Sequence, residues 1–106
     1  MAFTGNEDHS INLADAIEFT KNYRDSVNEG DFLGGYFGKS AISEILNQDD
    51  CVGIRIYNAI DGDEKYTYVV VGVTADNKDL TDGDLAEYVV GCPPRCPKDS
   101  SLAGTV

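Results

Sequence analysis

A chain of 106 residues fills one domain of ordinary size and holds one small core, because so short a chain buries only about two-thirds of its unfolded surface. Its 42% apolar and 25% charged residues lie in the globular range, which excludes wholesale disorder. Nineteen acidic against eight basic residues give a formal charge of −11, which argues against nucleic acid and anionic membrane as partners, since phosphate binding needs Lys and Arg to displace counterions.

Residues 1–10 read as a flexible N-terminus, residues 11–91 as a single α+β domain, and residues 92–106 as a Pro- and Cys-containing C-terminal tail. A helix starts at Ser10 or Asn12, either of which serves as N-cap, with Asp15 and Glu18 near the positive end of its dipole. Leu13, Ala16, Ile17, Thr20, Tyr23 and Val27 recur at helical spacing and mark a core-facing side, and Asn28-Glu29-Gly30 stops the helix. A glycine-rich loop, Asp31 to Gly38, then leads to a shorter helix capped near Ser40, with Ile42, Ile45 and Leu46 inward.

The region Cys51 to Thr74 carries most of the apolar mass. Val52, Ile54 and Ile56 alternate with Gly53, Arg55 and Tyr57, the pattern of a strand with one apolar and one mixed face. Tyr66 to Val73 is β-branched or aromatic almost throughout, as expected of a strand covered on both faces. Asp61-Gly62-Asp63 between them signals a hairpin, in which Val69, Val71 and Val73 are expected to meet Ile54 and Ile56. Leu85 to Val90 reads as a third strand, and from Gly91 the prolines Pro93, Pro94 and Pro97 preclude regular structure. The fold class that follows is α+β, with two N-terminal helices packed on one face of a three-stranded antiparallel β-meander. Two short helices leave the other sheet face short of cover, and Tyr57, Tyr66 and Tyr68 are the candidate interface residues there, facing a protein partner or a second copy in a homodimer.

Gly34-Gly35-Tyr36-Phe37-Gly38-Lys39-Ser40 invites comparison with a phosphate-cradling loop, but Leu33 stands where that motif needs its first glycine. What remains is a candidate single-anion site at Lys39 and Ser40, against the plainer reading of a tight turn with Tyr36 and Phe37 packed on the core. Cys92-Pro-Pro-Arg-Cys96 has a permitted zinc spacing, and Cys51 and His9 complete the set of candidate metal ligands. An extended polyproline segment would hold the Cys92 and Cys96 α-carbons about 12 Å apart, too far for a disulfide without a bend. Inert cysteines are therefore the leading expectation, with a disulfide or a metal site as alternatives. The acidic clusters at Asp61 to Glu64 and Asp76 to Glu87 lack the spaced ligands of a Ca²⁺ loop. The single histidine, His9, lies in a segment read as loose, and a general base needs fixed geometry, so no catalytic residue is assigned.

Gly35-Tyr36-Phe37-Gly38-Lys39, Cys51 to Tyr57 and Cys92 to Cys96 together resemble segments of small uncharacterised bacterial proteins, a resemblance that implies no established activity; no cofactor is expected. No run approaches the roughly 18 apolar residues of a membrane span, and Met1 to Ser10 has neither the basic start nor the apolar core of a signal peptide. With an odd number of cysteines, these features lead to a cytoplasmic location as the expectation. The leading functional expectation is a protein-binding or self-associating module. The alternatives are a cysteine-based metal or redox protein and a small enzyme with a carboxylate acid-base site.

Overall fold

The computed structural model describes residues 2–105. In chain order its elements are α1 (Leu13–Ser26), β1 (Gly34–Tyr36), α2 (Lys39–Leu46), β2 (Cys51–Ile60), β3 (Tyr66–Thr74), β4 (Leu85–Ala86) and β5 (Val90–Cys92). The class is α+β, with two helices and antiparallel sheets. The described residues divide into two compact units, 2–8 with 37–89 and 9–36 with 90–105.

In the first unit, β2, β3 and β4 form the expected meander, with order β2-β3-β4. Its last strand is shorter than read from the sequence, ending at Ala86 because Tyr88 adopts a left-handed backbone (φ 57°) that breaks the extended run. The hairpin turn spans Asp61 to Lys65. The Asp61 carboxylate accepts from the N–H groups of Asp63 and Lys65, and the left-handed position falls on Glu64 (φ 62°). The turn after β3 repeats this plan: Thr74 N–H donates to Lys78 O, Asn77 N–H donates to Thr74 O, and Asn77 takes the left-handed position, as Asn readily does.

The five-residue hairpin loop pairs Ile60 with Tyr66, and this sets the register of the whole ladder. One face carries Gly53, Arg55, Tyr57 and Ala59 opposite Val73, Val71, Val69 and Thr67; the other carries Ile54, Ile56, Asn58 and Ile60 opposite Gly72, Val70, Tyr68 and Tyr66. The expected meeting of Ile54 and Ile56 with Val69, Val71 and Val73 does not occur, since a shift of one residue moves a side chain to the opposite face. Ile54 and Ile56 lie opposite Gly72 and Val70 instead.

The core of this unit is Ile45 of α2 with Val70, Val71 and Val73 of β3, all buried. Thr67 is the buried polar residue, and its hydroxyl donates to Glu87 at 3.0 Å. Helix α2 packs against β2, β3 and β4. Gln48, just beyond its end, accepts from Asp84 N–H at 2.8 Å and donates to Ile45 O at 2.8 Å. A β-carbon at Gly83 would fall 1.8 Å from the Gln48 Oε1, and one at Gly72 would fall 2.9 Å from its Nε2, so both positions exclude a side chain to let this link form. Gly38 rather than Ser40 stands at the N-cap of α2, and no side chain caps that end. Residues 2–8, read as loose, belong to this unit, with Phe3 N–H donating to Ala75 O at 2.8 Å.

The second unit contains α1 and a two-stranded antiparallel sheet of β1 and β5. Asn12 caps α1, its side chain accepting from Asp15 N–H, as one of the two expected start sites requires. Gly34-Gly35-Tyr36 is a strand rather than part of a loop: it pairs with Cys92, Gly91 and Val90, so regular structure also runs past Gly91. The β-carbon position of Gly91 lies 3.2 Å from the Phe32 ring, an approach that a side chain there would hinder. Arg24 donates to Leu102 O at 2.8 Å, tying the C-terminal residues to α1.

Candidate functional site

The face of the hairpin that carries Ile54, Ile56 and Ile60 is covered at one end and open at the other. On β3, Gly72 opposite Ile54 and Val70 opposite Ile56 are buried, and Gln48 lies over Gly72. Towards the turn, exposure climbs from 38% at Ile54 to 55% at Ile56, 64% at Ile60 and 67% at Tyr66. These four side chains share one face by register, with Asn58 as the polar member of the same row on β2. Scattered exposed apolar residues are ordinary, but several adjoining ones on one sheet face form a patch that water solvates poorly.

Charge surrounds this patch without entering it. The first unit holds thirteen acidic and four basic side chains, a net of −9 of the chain's −11. Asp49 and Asp50 precede β2, and Asp61, Asp63 and Glu64 follow it. Arg55, the one charged residue within β2, points to the opposite face. There it forms an ion pair with Asp79 at 2.5 Å and donates to Asn77. Tyr57 donates to the second oxygen of Asp79, also at 2.5 Å. Since Arg55 and Asp79 come from opposite sides of β3, their contact spans the face that carries Val71 and Val73. The sequence reading missed this cluster; the alternation of Arg55 and Tyr57 within the strand was its one signal.

The three tyrosines expected to share a face do not. Tyr66 and Tyr68 lie on the open face, and Tyr57 lies on the other, because the five-residue loop pairs odd positions with odd. Lys39 and Ser40 are exposed in the first turn of α2, with Gly38 as its N-cap, while Gly34 and Gly35, read with them as one loop, are strand residues of the second unit. Tyr36, expected to pack on a core, is 64% exposed.

Cys92 and Cys96 are joined by a disulfide, with α-carbons 4.6 Å apart, in place of the inert thiols expected. The segment is not extended polyproline: the Cys92–Pro93 and Pro93–Pro94 peptide bonds are both cis. Cys51 is a half-buried free thiol of the first unit whose sulfur donates to Gly53 O at 3.2 Å, and His9 is exposed in the second. Among the described residues, no three His, Cys, Asp or Glu side chains lie close enough to hold a metal ion. The second unit has an open cleft of about 580 Å³, lined by Arg24, Val27, Glu29, Asp31, Pro93 and Cys96 among others; Glu29 and Asp31 are exposed. In the N-terminal segment, hydrogen bonds from the backbone N–H of Thr4, and further ones from Glu7 and Gly5, hold the Glu7 carboxyl below the usual carboxylate range. No helix among the described residues is long and apolar enough to cross a membrane.

Comparison with known proteins yields no matching family model, no similar curated protein and no similar solved structure.

Proposed function

We propose that this chain works by binding another protein through the open face of the β2–β3 hairpin. The observation that carries the reading is the row Ile54, Ile56 and Ile60 with Tyr66 beside it, exposed on one side of a sheet whose valines Val70, Val71 and Val73 are buried. A partner that covers these side chains removes their apolar surface from water, and the acidic residues at both ends of β2 form a polar rim. The experiment is paired capture with the full chain and its Ile56→Asn/Tyr66→Asn variant, the variant first shown to keep its circular dichroism and its urea midpoint within about 0.5 kcal/mol of the parent. The reading expects proteins retained by the parent to be lost from the variant. Identical sets on both would overturn it.

A second reading, a redox role, is favoured by the Cys92–Cys96 disulfide, which closes a short loop beside the cleft of the second unit. That bond also favours an oxidising compartment over the cytoplasmic location expected from the odd cysteine count. Titration of the bond against a thioredoxin-like dithiol tests it: a redox role requires a potential near the cytosolic or secretory range, and a bond that resists such a dithiol is structural.

A further inference from the structure

We infer that the outer edge of β2 accepts an extended segment of another protein as an added strand, and that this segment is apolar at alternate positions and carries Lys or Arg at both ends. The inference rests on the protein-binding reading above and specifies the partner's chemistry.

The sheet order β2-β3-β4 leaves β2 with a strand on one side only among the described residues. Gly5 lies against Val52 O and the register shifts between Cys51 and Gly53, so the regular open edge runs over residues 54–60, about 23 Å, long enough to hold a segment of that length through backbone N–H and C=O groups. Side chains of an added strand alternate, so every second one comes to lie beside Ile54, Ile56 and Ile60 on the open face, which requires those positions to be apolar.

The ends of the strand set the charge. Asp49 and Asp50 stand at one end, and Asp61, Asp63 and Glu64 at the other, where Lys65 offsets only one of them. Arg55 neutralises neither end, being committed to Asp79 and Asn77 on the opposite face. A second copy of this chain is therefore the poorer occupant: β2 laid against β2, in either direction, sets acidic end against acidic end. A basic segment meets opposite charge at both ends, and the −9 of the first unit steers it there.

The test uses the full chain and three labelled peptides as long as β2. One has a Val/Thr alternating core and two Lys at each end; the second has the same core with two Glu at each end; the third is the Lys peptide with alternate backbone nitrogens methylated. Binding is read by fluorescence anisotropy at about 0.02 and 0.3 M salt, between which the Debye length falls severalfold. The inference expects the Lys peptide to bind at least about tenfold more tightly than the Glu peptide at low salt, with the ratio shrinking at high salt. It also expects the methylated peptide to lose binding, as does an Ile56→Asn/Ile60→Asn chain that keeps its circular dichroism. Equal affinity for the Lys and Glu peptides, undiminished binding of the methylated peptide, or no binding of any peptide overturns the inference. If in the first two cases the Ile56→Asn/Ile60→Asn chain still fails to bind, the open-face reading survives; if that chain binds as the parent does, the reading falls too.

Discussion

Truncating Val71 should cost more than truncating the larger Ile60, although both lie in the same hairpin. Val71 is 2% exposed and faces the side spanned by Arg55 and Asp79, so Val71→Ala removes two buried carbons at about 0.8 kcal/mol each. The cavity left behind adds to this, for a total of about 2 kcal/mol. Ile60→Ala removes three carbons, worth about 2.4 kcal/mol if fully buried. Ile60 is 64% exposed and can leave no enclosed cavity, so its loss should stay below about 1 kcal/mol. Urea unfolding followed by circular dichroism measures both, with the comparison valid where the m-values agree. An Ile60→Ala loss equal to or larger than that of Val71→Ala would refute both the register and the open face.

Glu64→Gly should stabilise the chain by about 0.5 kcal/mol, because it relieves an L-residue of a left-handed backbone and gives back part of that gain in unfolded-state entropy; an unchanged or lower urea midpoint would refute the turn geometry. Asp79→Ala should cost about 1–2 kcal/mol, since it leaves the Arg55 guanidinium and the Tyr57 hydroxyl without their shared acceptor, whereas Asp25→Ala on the exposed Lys21 pair should cost less than about 0.5 kcal/mol in the same assay. Cys92→Ser/Cys96→Ser should destabilise by about 2 kcal/mol, the loop-closure value for so short a ring. Its amide-exchange losses should fall on Gly34–Tyr36 and Val90–Cys92 and leave β3 unchanged; losses in β3 would contradict the division into two units.

The parts legible in the sequence were those set by local chemistry. Asn12 announced the start of α1, the β-branched run at Val69 to Val73 announced a strand buried on both faces, and Asp61-Gly62-Asp63 announced the turn between β2 and β3. The register was not legible, because it depends on whether the loop holds an even or odd number of residues, and the left-handed position went to Glu64 rather than Gly62. That parity moved Tyr57 away from Tyr66 and Tyr68 and exchanged the partners of Ile54 and Ile56. The pairing of Gly34–Tyr36 with Val90–Cys92 was not legible, since glycine is poor in strands, the strand signal at Val90 reads as part of the run from Leu85, and the two segments lie far apart in the chain. Pro93 and Pro94 favour an extended polyproline reading of their segment, while the structure folds it back to join Cys92 with Cys96.

Docking of a partner segment along the outer edge of β2, beside Ile54, Ile56 and Ile60, is what the proposed binding mode requires. Backbone amide exchange mapped residue by residue, with and without the Lys-ended peptide at saturation, tests it most directly. The expected result is slowed exchange within residues 54–60 and little change at the cleft lined by Arg24, Glu29 and Asp31. Protection at that cleft, with exchange along β2 unaltered by a bound peptide, would contradict it.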